Sequence, residues 1–429
     1  MTSAAPSSVA RTAKDLERVL AESRSGFEVT KVKASAAPEW GVVDGSLQHK
    51  SRGFFSVVGV EDKSGAQSLL LYQPQGAVTG LLTAQIDADV CYLLQARAEP
   101  GCLGNAQFGP TVQSTPANFM RLHGGAATPY IEYFIAFEPG LTLVDDTTQM
   151  DLGLRYLYKT KRSILVEAAA PPPLQPSFLW ASRQAICEAC LESAFLNIDL
   201  RSILSIAAWS NDQSGLAPRD ARIQRNLVAP VRAEALGDVL ARLSRVSRHS
   251  AQFVPLSSLE NWRQTEWGWS ERVRQHGFDV NFFSVNARFR EKSTWVQPLI
   301  NSASDGHVIL TCRECDGYLE FLVRVVSESG LATSAGLAPS YVRYPGALAT
   351  PPEGYSAASV WSATVESDEG GRFYRDASRY EIVHIDGGET PSDGAWLRLS
   401  ELKLLLRMSN VCTIQLRGVV SHLLGIELQ

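Results

Sequence analysis

The sequence lacks any surplus of positive charge: 40 Lys and Arg stand against 45 Asp and Glu, a net charge of −5. That balance argues against an electrostatic grip on nucleic acid or on anionic lipid. It lacks a long apolar run as well; none approaches the ~20 residues that a membrane-spanning helix needs. The opening stretch, "MTSAAPSSVARTAKDL", has no apolar core of a secretory signal, and residues 1–24 are expected to form a flexible segment. Without such a signal the expected setting is the cytoplasm, with reduced thiols.

Cysteine is present but not patterned for a metal or a disulfide framework. Two CxxC pairs occur among seven cysteines, Cys187/Cys190 and Cys312/Cys315. Zinc ribbons set such pairs on tight turns about 15–20 residues apart. Here the first pair lies in a helical pattern, "ASRQAICEACLESA", and the second in a strand pattern, "HVILTCRECDGYLEFLV", with over a hundred residues between them. Buried or half-buried thiols are expected instead of zinc.

What the chain has is length and repetition. Its 429 residues, 45% apolar and 20% charged, suit a soluble protein of roughly two to four domains. "SDEGGRFYRDASRYEIV" (367–383) echoes "MDLGLRYLYKTKRSILV" (150–166) without gaps, so that Asp151 falls on Asp368, Gly153 on Gly370, Arg155 on Arg372 and Arg162 on Arg379. Glu369, however, falls on Leu152. Further echoes keep the same order: 49–60 with 274–287, 69–83 with 293–311, and 91–101 with 318–330, which places Glu99 on Glu328. Trp180 and Arg201 fall on Trp396 and Arg417 at one offset of 216. The chain is an internal duplication.

Within each half, short runs rich in Val, Ile, Leu, Tyr and Phe are parted by Gly, Pro and Asp, as in mostly antiparallel strands. Each half closes on a pair of helices; in the first, Asn197 or Asp199 is placed to cap the second helix. Leu236, Val239, Leu240, Leu243 and Val246 form the apolar stripe of an amphipathic helix between the halves. The expected class is α+β, each half a mixed or antiparallel sheet with packed helices. The expected division is a first repeat over 25–210, a linker with the amphipathic helix over 211–250, and a second repeat over 251–429.

The stretch 367–383 reads as a site wall. Asp368 and Glu369 are adjacent, so on a strand they point to opposite faces and only one enters a given pocket. Gly370 and Gly371 permit a bulge or a close ligand approach. Arg372 and Tyr374 are donors on one face once strand geometry resumes, and Arg379 has the fork that grips a diphosphate. The plainer alternative is a salt-bridged surface hairpin built on DEGG. In the first half, Thr111 and Gln113 of "GPTVQ" suit a sugar hydroxyl, a base edge or a phosphate, and Glu99 sits between an apolar strand and a Pro-Gly turn. His49 and His123 are candidates to titrate near neutrality, and Tyr130 or Tyr133 to stack on a nucleobase; a structural role is the competing reading for each histidine.

Four stretches go beyond pattern: "LLQARAEPG", "GPTVQSTPANF", "RLHGG" followed by "PYIEYF", and "SDEGGRFYRDASRYEIV". Together they resemble the NDP-hexose 2,3-dehydratases of deoxysugar and natural product biosynthesis, over about residues 25–425. The resemblance implies two tandem Nudix-like repeats, a homodimer, and a dTDP-linked 4-keto-6-deoxyhexose as substrate. It implies a carbon–oxygen lyase that removes the C2 hydroxyl to give a 3,4-diketo sugar, working beside a 3-ketoreductase. No such partner is encoded here, since no strand-linked GxGxxG occurs. The metal-holding carboxylate helix of Nudix hydrolases is missing from the sequence, so neither metal nor cofactor is expected. On this reading Glu369, Asp368 and Tyr374 are the catalytic candidates. Arg372, Arg379, Tyr380, Gln113, Thr111, Glu99, His49, His123 and Tyr130 are the substrate-binding ones.

The departures from the family pattern fall in both halves. Leu152, Arg155, Lys161 and Ser163 replace family residues in the first copy, and Val342 and Ser378 do so in the second. One pocket is then the working site and the other a relic or accessory site. The alternatives are a divergent member acting on another NDP-sugar or keto substrate, and a non-catalytic nucleotide-sugar-binding homologue.

Overall fold

The computed structural model of the chain describes residues 9–122, 126–136, 139–210, 215–246, 251–287, 293–348 and 359–428. It is α+β, with two large mixed sheets and two smaller ones.

In the first large sheet the strand Ala77–Ile86 runs parallel to Thr160–Ala168 and antiparallel to Asp89–Ala98. Its run "AVTGLLTAQI" is apolar on both faces because both faces are covered, as a central strand requires. Leu141–Met150 closes one edge and Phe178–Ser182 pairs with Asp89–Ala98. The second large sheet repeats the arrangement: Gly306–Cys315 lies parallel to Ala377–His384 and antiparallel to Tyr318–Ser327, with Ser359–Ser367 at the edge. Both edge strands carry a register break at matching places, Leu143/Asp145 and Val360/Ser362. Each half then ends in its helical pair, Arg183–Ala189 with Ile198–Ile206, and Leu399–Leu406 with Ile414–Val420. Asn197 caps the second of these, its side chain accepting from the Leu200 amide.

The small sheets show that the halves are interlocked rather than strung in tandem. Phe27–Lys31 of the first half pairs antiparallel with Phe278–Ala287 of the second. Its counterpart Gln252–Val254 pairs antiparallel with Ser56–Glu61 of the first. Each half thus lends a strand to the other. The duplicated arginines also cross over. Arg201, on a first-half helix, meets Glu366 of the second half at 2.6 Å, and Arg417 meets Gln149 of the first half at 3.3 Å.

Residues 13–24 correct the expectation of a flexible lead-in. Ala13–Arg24 is a helix with a Thr12/Asp15 capping box, and Leu16 and Leu20 are fully buried. It packs on Asp89–Ala98 and Ala106–Gly109. The amphipathic helix Ala233–Arg245 packs on the equivalent second-half strands Tyr318–Ser327 and Ala335–Pro339. The two are one element of the duplicated unit. The first escaped notice because its stripe of Leu16, Val19 and Leu20 is short and set among charges.

Candidate active site

The cavity of about 430 Å³ lies between the halves and takes walls from both. From the first come Trp40, His49, Arg97, Glu99, Gln113, Lys159, Lys161 and Asp199; from the second, Trp295, Gln297, Glu369, Gly371 and Arg372. One seam brings them together. The Gly101 amide donates to the Gly370 carbonyl at 2.8 Å, laying the turn after Glu99 directly on the turn after Glu369. Gly101 must be glycine, since a Cβ there would collide with the Glu369 carbonyl oxygen; a Cβ on Gly370 would push against the Glu99 carboxylate.

Eight charges meet in or beside the cavity. Arg97 holds Glu99 at 2.8 Å. Lys161 lies 2.5 Å from Asp199 and 2.9 Å from Asp151, and Lys159 is 3.2 Å from Asp151. Lys159 also sits over the Tyr156 ring at 3.7 Å. The Glu369 carboxylate accepts from the Arg372 amide. Burial pushes the pKa of Glu369 above the ordinary carboxylate range, against the pull of Lys159, Arg372 and Lys161. Burial lowers Lys159, opposed by Asp151. Arg372 lies over the Phe55 ring at 4.7 Å, and its buried Nε has no partner among the described residues. Gln113 accepts from Asn197 at 2.9 Å through its amide oxygen, which leaves the amide nitrogen for the cavity.

Of the remaining candidates from the sequence, His49 alone among the described residues lines the cavity. Its ring edge lies against Trp40 and Phe54 and its Nδ1 is 2.8 Å from the Ser51 hydroxyl. Asp368 turns away from Glu369 and accepts from the Ser378 hydroxyl at 3.0 Å. Tyr374 stacks on Phe283, ring centres 4.3 Å apart, outside the cavity wall. Arg379 is held by Glu381 at 2.7 Å, half exposed. Tyr380 is buried against the Cα of Gly418. Thr111 ties strands together, donating to the Leu93 carbonyl at 2.5 Å and accepting from the Leu82 amide at 2.9 Å. Tyr130 is buried, its hydroxyl donating to the Pro173 carbonyl at 2.7 Å. None of these six lines the cavity, and for Thr111 and Tyr130 the packing engages the hydroxyl that a ligand would need. His123 lies outside the described residues.

Sequence reading missed Arg97, Lys159 and Asp199, and treated Lys161 only as a departure. A lysine or an aspartate alternating with apolar residues reads as a solvated face, and nothing linear reveals that this face closes against another half. Along the chain Asp151 stands near Lys159 and Lys161, but Asp199 lies 38 residues beyond Lys161 and only the fold brings it to them.

At the matching place in the other half the groups face one another. Arg155, the counterpart of Arg372, lies over Phe278 at 4.3 Å and donates to the Pro345 carbonyl at 2.8 Å. Glu328, the counterpart of Glu99, accepts from the Tyr344 hydroxyl at 2.9 Å. Leu152, in the place of Glu369, is 2% exposed in the core. Asp376 and Ser378 stand where Lys159 and Lys161 stand, and Asp376 accepts from Ser302. The losses at Leu152 and Val342 therefore fall in a single filled half-site. Among the described residues no three His, Cys, Asp or Glu side chains converge to hold a metal ion. All seven cysteines are free thiols.

Comparison with known proteins agrees with the duplication. The model of the family described as NDP-hexose 2,3-dehydratase matches residues 15–207 and again 233–423. The dTDP-4-dehydro-6-deoxy-alpha-D-glucopyranose 2,3-dehydratase of Saccharopolyspora spinosa is 29% identical over 438 residues, covering 93% of this chain and 88% of that protein. Its namesake from Amycolatopsis orientalis is 28% identical over 440 residues, covering 95% and 89%. Among solved structures, a Nudix hydrolase from M. smegmatis covers 29% of this chain and 79% of its own, at 20% identity and a TM-score of 0.19, too low to bear on the fold. Matched once by each of its two halves, which together build one cavity, the chain belongs to the NDP-hexose 2,3-dehydratase family.

Proposed function

We propose that the chain is a carbon–oxygen lyase acting on dTDP-4-dehydro-6-deoxyglucose, the substrate in the names of its relatives. The observation that carries this reading is the placement of Glu369, from one half, in a cavity whose cations come mainly from the other. The 4-ketone of such a sugar acidifies its C3 proton. Glu369 takes that proton, and the electron pair moves onto the C4 oxygen as an enolate. As the C4 carbonyl re-forms, the C2–O bond breaks and the hydroxyl leaves as water with a proton from Glu99. The resulting enol, C2=C3 with the C3 hydroxyl, gains a proton at C2 and loses one from oxygen to become the 3,4-diketone. One water is lost and nothing is oxidised or reduced overall.

The pKa direction of Glu369 suits its duty. A base works best when its pKa approaches the operating pH, and burial moves Glu369 that way. Arg372, with its Nε unspent, is assigned to the diphosphate, and the Gln113 amide nitrogen to a sugar hydroxyl. The Nudix-like character of each half, a homodimer, a cytoplasmic setting and a 3-ketoreductase acting on the fragile product are proposed on the sequence resemblance.

Incubation with dTDP-4-dehydro-6-deoxyglucose in deuterium oxide tests the reading. Deuterium at C2 of the product and, by reversal of the first step, at C3 of recovered substrate, with nucleotide released as the diketone decomposes, is expected. Glu369→Gln is expected to abolish turnover and leave nucleotide affinity within a few-fold. Tight binding without exchange or release would instead mark a nucleotide-sugar-binding homologue.

A further inference from the structure

We propose that Lys159 is the catalytic cation that receives the enolate at C4, and that Asp151 is its positioning residue. This rests on the dehydratase reading above and adds a role to a residue that the family pattern in the sequence does not single out.

When Glu369 takes the C3 proton, its negative charge moves to the C4 oxygen, so a cation beside the base must meet that charge at its new place. Arg97 is committed to Glu99, and Lys161 is pinned between Asp199 and Asp151. Lys159 lines the cavity with only the longer contact to Asp151, 3.2 Å, on one side and the Tyr156 ring beneath. Sharing Asp151 with Lys161 leaves its remaining N–H donors for the cavity. The charged groups facing it are Asp151, Lys161, Glu369 and Asp199.

The filled half-site supports the assignment by contrast. There the equivalent aspartate, Asp368, faces Ser378, and the Lys159 position holds Asp376, so the cation is replaced by an acid where Leu152 has replaced the base. Cation and base are present together in one half-site and lost together in the other. A donor aimed at a developing oxyanion in a water-poor site is typically worth about 10²–10³ in rate.

The test uses the full-length chain, dTDP-4-dehydro-6-deoxyglucose and deuterium oxide. Lys159→Met is expected to lower turnover about 10²–10³-fold and to slow C3 exchange by the same factor, with dTDP affinity within a few-fold. Asp151 keeps Lys161 as a partner in that variant, which favours folding. Asp151→Asn removes the group that holds the Lys159 pKa up, so the alkaline limb of the rate profile is expected to move to lower pH; a structural role for Asp151 would not move it. Exchange at the wild-type rate in Lys159→Met, or an unmoved limb in Asp151→Asn, overturns the proposal. If Lys159→Met does not fold by circular dichroism, the Asp151→Asn profile decides. Absence of both C3 exchange and nucleotide release in the wild-type chain would count against the dehydratase reading itself, a separate failure.

Discussion

The Gly101 amide and the Gly370 carbonyl form a hydrogen bond of 2.8 Å that joins the two copies beside the cavity, and Gly330 and Gly153 form its mirror at 3.0 Å. The first bond sets Glu99 and Glu369 side by side. The second sets Glu328 beside Leu152, where the copy holds no carboxylate matching Glu369.

Gly101→Ala is expected to cost about 1–3 kcal/mol, as overpacking does, because the new methyl meets the Glu369 carbonyl. Turnover falls further than stability, since the turn that aims Glu369 must move. Gly41→Ala, with open space around its Cα, is the control and stays near neutral. Urea denaturation paired with turnover measures both; equal stability in the two variants would refute the seam as described.

Arg201 and Glu366 are buried 2.6 Å apart. Arg201→Ala strands a carboxyl in the core and is expected to cost about 3–5 kcal/mol. Glu366→Gln is expected to cost about 1 kcal/mol or less, because Arg417 already meets a glutamine, Gln149, in the mirror position. Thermal melts of the two variants, ranked against each other, check this.

Stability is expected to fall as pH rises from about 4 to about 7. Burial raises Asp368 and Glu366 to about 7 and Asp376 to about 6. Between the unfolded and folded values the folded state holds more protons, so their contribution is complete below the unfolded pKa and is lost on passing the folded one. Asp368→Asn flattens that slope, its Ser378 partner being able to donate to the amide oxygen. Denaturation midpoints across the range decide; a midpoint that climbs with pH over this window contradicts the assignment.

Leu152→Glu puts the base's residue type back into the filled half-site. It is expected to destabilise by about 3–5 kcal/mol, as an uncompensated buried charge does, since Leu152 is 2% exposed in the core. No second active site is expected: one nucleotide per Glu369-bearing cavity, measured by calorimetry, remains the stoichiometry of turnover.

Much was legible along the chain. The gapless echo of 150–166 in 367–383 revealed the duplication, and the adjacency of Asp368 and Glu369 implied that only one would face a pocket. Quoted motifs at Glu99, Gln113 and Arg372 led to residues that do share a wall. Tyr130, Tyr380 and Thr111 carried equal promise as letters, yet their polar groups or rings are consumed by packing. Reading the losses at Leu152 and Val342 as damage to both pockets was natural on a line, where each copy owns its own motif.

The amino-acid order by itself determined that one unit occurs twice and most of the strands and helices it forms, because these follow from local periodicity and repeated side chains; the family was legible in the quoted motifs that resemble it. Only the folded chain decided that Glu369 of one copy lines a cavity with Lys159 of the other. The reason is the strand exchange of Phe27–Lys31 and Gln252–Val254, whose backbone pairing lays the two copies face to face. Hydrogen bonds between distant strands carry no mark in the local sequence, and they set which carboxylate shares a wall with which lysine.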